Sequence, residues 1–203
     1  MPLFLKEENP HFQLAVWRIT EPFSFFGKHF RNVPPITNES RKLQWCASRF
    51  LIKNELGQPE NVLSNEIGKP VFSDVDHHVS ISHSNEFAAA IVGKTVEVGI
   101  DVEPIHERVE RIASKFLSTP ELEAIENANR VEQLILYWSA KETLYKLHGL
   151  GCIDFKTQLI VSAFKLETQG KLTASIKTPN RSFCNLTIEY QFFENHVLTY
   201  VVV

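Results

Sequence analysis

Two stretches decide how this chain reads: Gly99-Ile100-Asp101-Val102-Glu103-Pro104, closing an alternating apolar run, and Trp138-Ser139-Ala140-Lys141-Glu142-Thr143-Leu144-Tyr145-Lys146, inside an apolar helical pattern. On a strand, Asp101 and Glu103 are two apart and present their carboxylates to one face. On a helix, Glu142 and Lys146 are four apart and share a face. Glu142 also falls on the stripe Val131, Ile135, Trp138, Tyr145, which reads as the core-facing side. An inward carboxylate needs a cation or hydrogen bonds to satisfy it. If Asp101 and Glu103 meet Glu142, three carboxyl groups converge, a donor set that suits a hard divalent cation such as Mg²⁺. Plainer readings stand beside this one. Asp-x-Glu at a strand end also suits a solvated turn, and Glu142 with Lys146 also suits an intrahelical ion pair of about 0.3–0.5 kcal/mol.

Working outward, Phe12-Gln13-Leu14-Ala15-Val16-Trp17-Arg18-Ile19 reads as an opening strand, and Pro34-Pro35 breaks structure ahead of a helix over 39–56. That helix is expected to bury Leu43, Cys46, Ala47, Phe50 and Leu51 and to gather Lys42, Arg49 and Lys53 on another side. Val79–Ser82 and Phe87–Val92 read as paired strands about a polar turn, and Val96–Val102 as a third. In the second half, Thr119-Pro120 reads as a helix start with Thr119 as N-cap. A longer helix runs from Val131 to His148 and stops at Gly149, and strands follow around 157–166, 171–177, 185–193 and 197–202.

The chain has 203 residues, 43% of them hydrophobic with 15 Phe, enough apolar surface for a real core. A net charge of −3 gives no field that favours nucleic acid. The three cysteines, Cys46, Cys152 and Cys184, are widely spaced with no Cys-x-x-Cys, which points to reduced thiols and away from zinc. Leu3-Phe4-Leu5 is too short for a signal peptide or a membrane span, so a cytoplasmic protein is expected.

The two opening stretches together resemble the signature pair of the 4′-phosphopantetheinyl transferases. Gly68-Lys69-Pro70 is similar to the family's Gly-Lys-Pro segment, and Ser80-Ile81-Ser82-His83-Ser84 to its Ser-His segment, in the same order. Arg41 and Arg49 match a family helix that offers an arginine to the nucleotide. Thr143 stands where the family usually has Ala or Ser, a mild change on an exposed turn, and Ser80 where Asn is frequent. Lys28, His29 and Arg31 lie in the region of a basic pair that some members carry, without a clear alignment.

The resemblance implies an α+β fold of the long, monomeric, surfactin-synthetase-activating type. This is a pseudo-dimer of two similar halves, 1–104 and 105–203, each a helix packed on an antiparallel sheet. The active site would lie between them, Asp101 and Glu103 on one half, Glu142 and Lys146 on the other. It also implies transfer of the phosphopantetheine arm of coenzyme A to a serine of an apo acyl carrier protein or peptidyl carrier domain. Mg²⁺, or Mn²⁺, would be held by Asp101, Glu103 and Glu142. Arg41, Lys69, Pro70, Ser82, His83 and Lys146 would bind coenzyme A. Asp101, Glu142 and Lys146 are the catalytic set, with Glu142 the first candidate for general base, directly or through a water on the metal. Two rivals remain open: a silent module that binds coenzyme A or a carrier protein, and a metal-dependent pyrophosphohydrolase.

Overall fold

The computed structural model describes residues 2–30, 33–59, 62–66, 68–73 and 75–203; Arg31 lies outside them. The chain divides into two compact units, Met1–Val98 and Gly99–Val203. Both combine helices with antiparallel strand pairs, the mixed α+β class expected from the sequence.

In the first unit, β1 (Leu3–Glu8), β2 (Phe12–Arg18), β5 (His78–His83) and β6 (Phe87–Gly93) form an antiparallel sheet in the order β1-β2-β6-β5. The apolar run at the N-terminus is thus a strand, paired with β2. Across the sheet lies α2 (Glu39–Phe50), preceded by the short α1 (Phe23–Gly27). Asn38 caps α2, its side chain accepting from the Arg41 N–H at 2.9 Å. Cys46, Ala47 and Phe50 of α2 pack on Ala88, Ala90 and Val92 of β6. The α-helical geometry ends at Phe50, and Leu51–Glu55 continues the helix as a wider, π-helical turn. A small hairpin, β3 (Val62–Ser64) with β4 (Pro70–Phe72), carries Gly68 and Lys69 in its turn and Pro70 at the start of β4, and Gly68 has φ +84°, a conformation that favours glycine.

The expected basic face of α2 is not a free one. Lys42 Nζ lies 3.8 Å from the centre of the Phe23 ring, the Arg49 guanidinium 4.5 Å from that of Trp45, and Lys53 donates to the His29 carbonyl at 3.2 Å. Burial also lowers the Arg49 pKa to about 10.

The second unit begins with β7 (Val98–Pro104), which starts at the unit boundary. From the sequence this strand is expected in the first half, 1–104. It instead forms one edge of a five-stranded sheet, ordered β7-β11-β10-β9-β8, with β8 (Leu159–Val161), β9 (Gln169–Lys177), β10 (Ser182–Phe193) and β11 (His196–Val202). Between β7 and β8 come α3 (Ala113–Phe116), α4 (Thr119–Glu123) and α5 (Arg130–His148). The N-cap of α4 is Ser118, not Thr119. Glu121 Oε2 accepts from its backbone N–H at 2.7 Å and from its hydroxyl at 2.8 Å. α5 stops at Gly149, whose φ of 64° is the left-handed C-cap.

α5 is buried on most of its circumference, polar Gln133, Ser139, Lys141, Thr143 and His148 included, because it packs on strands and loops at once. Leu134, Tyr137, Leu144 and Leu147 are its deepest contacts with the sheet core, while Val131, Trp138, Glu142 and Tyr145 form a half-buried flank. The stripe through Glu142 is therefore the edge of the buried face. Thr143, expected on an exposed turn, is fully buried. Its hydroxyl meets the Thr199 hydroxyl at 2.6 Å, and Thr199 reaches Ser139 Oγ at 2.9 Å, which pins α5 to β11. Cys46 is buried and Cys152 and Cys184 are exposed, all as free thiols. No helix among the described residues is long and apolar enough to cross a membrane.

Candidate active site

Gly99 sets the geometry. A side chain there would run into the Thr143 carbonyl and the backbone of Leu147, so β7 can lie directly on α5 only because this residue lacks one. Two residues on, Asp101 points its carboxylate at the same helix. It is 2% exposed, and Lys146 Nζ donates to its Oδ1 at 2.7 Å. Lys146 therefore pairs across to the strand, not along the helix to Glu142. Glu103, next on that face of β7, accepts a hydrogen bond from the Trp138 indole Nε1 at 3.2 Å. Asp101, Glu103, Glu142 and Lys146, which the sequence reading divided between two halves, all belong to the second unit.

The electrostatics show how closely these groups meet. Glu142 is pushed up to about 7, first by burial and then by the charge of Asp101, with Lys146 opposing. Glu103 is likewise pushed up to about 7 by burial and by Asp101; the Trp138 hydrogen bond and Lys146 pull it down, and Glu142 adds a further push upward. Three carboxyl groups thus act on one another across the β7–α5 contact, which is how a site raises acids towards neutrality. Crowding of this kind is relieved by a hard cation, and the donors are all carboxylate oxygens, the set Mg²⁺ favours. Among the described residues, no group of three His, Cys, Asp or Glu side chains is arranged to enclose an ion. The donor chemistry fits a divalent cation, while the positive charge facing Asp101 is the Lys146 ammonium.

The other candidates lie in the first unit. Ser82 is buried and His83 exposed at the end of β5. Arg41 is exposed in the first turn of α2. Three residues further along, Gln44 Nε2 donates to the Ser84 carbonyl at 3.1 Å and to Asn85 Oδ1 at 3.3 Å. That ties the start of α2 to the turn following His83. Lys69 and Pro70 lie in the β3–β4 hairpin, where the Lys69 N–H donates to Asn65 Oδ1 at 2.8 Å.

Sequence reasoning assigned no role to Gly99, Trp138 or Lys141. A glycine inside a strand pattern, two residues before an acid, is a signal for close backbone approach. Lys141 could have been noticed because it shares the helix face of Leu134, Tyr137 and Leu144, where a lone cation needs a partner.

A model of the 4′-phosphopantetheinyl transferase superfamily matches residues 97–201, the span that holds β7 and α5. The 4′-phosphopantetheinyl transferase gsp of Aneurinibacillus migulanus is 37% identical over 97 residues, 45% of this chain and 40% of the length of gsp. The 4′-phosphopantetheinyl transferases AcpT of Salmonella typhimurium and Salmonella typhi are each 30% identical over 152 residues, 68% of this chain and 78% of theirs. The chain belongs to the 4′-phosphopantetheinyl transferase superfamily, and so to the transferases.

Proposed function

We propose that this protein transfers the 4′-phosphopantetheine arm of coenzyme A to a serine of an apo acyl or peptidyl carrier protein, releasing 3′,5′-ADP. The observation that carries the reading is the meeting of Asp101 and Glu103 on β7 with the α5 turn of Glu142 and Lys146, in the span the family model matches. In the reaction, the serine Oγ bonds to the β-phosphorus as the bond to the 3′,5′-ADP oxygen breaks. The serine proton passes to Glu142, directly or through a bound water. Lys146, with its side chain 24% exposed, turns its ammonium from Asp101 to a phosphate oxygen as a point charge. Trp138 holds Glu103 in place while charge shifts beside it.

A divalent cation, Mg²⁺ or alternatively Mn²⁺, held by Asp101, Glu103 and Glu142, would neutralise and orient the pyrophosphate. In the first unit, Arg41 would take the 3′-phosphate, Lys69 the nucleotide end and His83 a further phosphate, with Ser82 and Pro70 shaping the approach. The protein is proposed to work as a cytoplasmic monomer.

The test is mass spectrometry of an apo carrier protein incubated with this protein, coenzyme A and Mg²⁺. The expected result is a gain of about 340 Da on the carrier, abolished by EDTA. Release of 3′,5′-ADP with no carrier present would indicate a hydrolase instead. Tight coenzyme A binding with no gain on several carriers would indicate a silent binding module.

A further inference from the structure

Beneath the carboxylates lies a buried cation that the proposed reaction does not use. Lys141 is fully buried, and Glu121 is 4% exposed. Lys141 Nζ donates to Glu121 Oε2 at 2.8 Å, to the Phe116 carbonyl at 2.8 Å and to the Phe155 carbonyl at 2.9 Å. Glu121 Oε1 in turn accepts from the Val161 N–H at 3.0 Å, anchoring the pair to β8. Such a pair adds little stability over apolar residues of the same volume, because desolvating both charges offsets their attraction. What it does supply is placement. Phe116 ends α3 and Phe155 sits in the connection from α5 to β8, and one ammonium fixes the backbone of both.

Both phenylalanines pack on Trp138. Its ring meets Phe116 edge-on with centroids 5.1 Å apart and stacks on Phe155 at 5.6 Å. The same indole carries the N–H that reaches Glu103 Oε1 at 3.2 Å. We propose that Lys141 is a positioning residue, which fixes Glu103 by holding Phe116 and Phe155 against the Trp138 ring. The inference rests on the transferase reading for its kinetic consequence and on geometry alone for the rest.

NMR of the ¹⁵N-labelled protein tests it without any reaction. The three tryptophans, Trp17, Trp45 and Trp138, give separate indole N–H signals, with Trp138 identified by its loss in Trp138→Phe. Lys141→Met is expected to shift the Trp138 signal and speed its hydrogen exchange roughly ten-fold, leaving those of Trp17 and Trp45 in place. Lys141→Gln, which keeps a donor in the same place but is too short to reach both carbonyls, is expected to do the same and decides the matter should Lys141→Met not fold. An unmoved Trp138 signal in a folded variant overturns the proposal.

In the transfer assay, Lys141→Met and Trp138→Phe should each slow turnover roughly ten- to hundred-fold, and the double variant no more than either one. Losses that multiply overturn the proposal too. A wild-type protein that transfers nothing refutes the proposed function instead, and the indole signals still decide the role of Lys141.

Discussion

Replacing Glu142 by Gln should stabilise the protein while abolishing its chemistry. In the unfolded chain this carboxyl titrates near 4.5, and in the folded protein it is pushed up to about 7 by burial and by Asp101. Between those values the folded state binds more protons than the unfolded one. The stability it contributes is present below about 4.5 and is lost as the pH rises to about 7. Above that, the ionised carboxylate destabilises the fold by about 3 kcal/mol, the free-energy equivalent of the rise. The net value already includes the attraction of Lys146, so losing that attraction does not cancel the gain.

Glutamine keeps the shape and removes the charge. In EDTA at pH 8, Glu142→Gln is expected to unfold about 6–12 °C higher than wild type by differential scanning calorimetry. At pH 4.5 the two should coincide. Added Mg²⁺ should raise the wild-type midpoint at pH 8 far more than that of the variant, because it occupies the same crowded charge. Phosphopantetheine transfer by the folded variant should be lost. A variant no more stable than wild type at pH 8, or equally more stable at both pH values, would show that charge crowding at Glu142 is not the operative effect.

Three further outcomes follow from the same geometry. Asp101→Ala should weaken turnover and Mg²⁺ dependence together, and an unchanged Mg²⁺ titration of activity would remove Asp101 from the ion site. Gly99→Ala should separate β7 from α5 at the Thr143 carbonyl, lowering stability by roughly 1–3 kcal/mol in urea unfolding and reducing kcat even in the folded fraction. A Gly99→Ala variant with wild-type stability and turnover would show that the close approach is not needed. Thr199→Val removes the hydroxyl shared by Ser139 and Thr143, leaving Thr143 only the Thr199 carbonyl, at about 1–3 kcal/mol in the same measurement, with the pH profile of transfer unchanged.

Much of the local structure was legible from the chain alone. Gly149 ends α5 because its backbone can enter the left-handed region, and that depends on nothing distant. The β5–β6 pair followed from two apolar runs about a polar turn. The spacing of Asp101 with Glu103, and of Glu142 with Lys146, marks these acids and this lysine as two pairs that each share a face. Each of these rests on residues within a few positions of one another, where periodicity and turn chemistry operate.

Tertiary structure decided what those groups touch. Periodicity says which side chains share a face of one element, but not which other element covers that face. Hence β7 read as a third strand of the first half, although its hydrogen-bonding partner is β11, at the far end of the chain. Lys146 reaches Asp101 because Gly99 lets strand and helix touch, a contact invisible to spacing along the helix. Thr143 read as an exposed position and Lys141 drew no role, yet both are buried, because α5 is covered on more of its circumference than one stripe predicts. The acids were named by their neighbours in sequence; their values near 7 come from the low-dielectric contact between two elements that only the folded chain brings together.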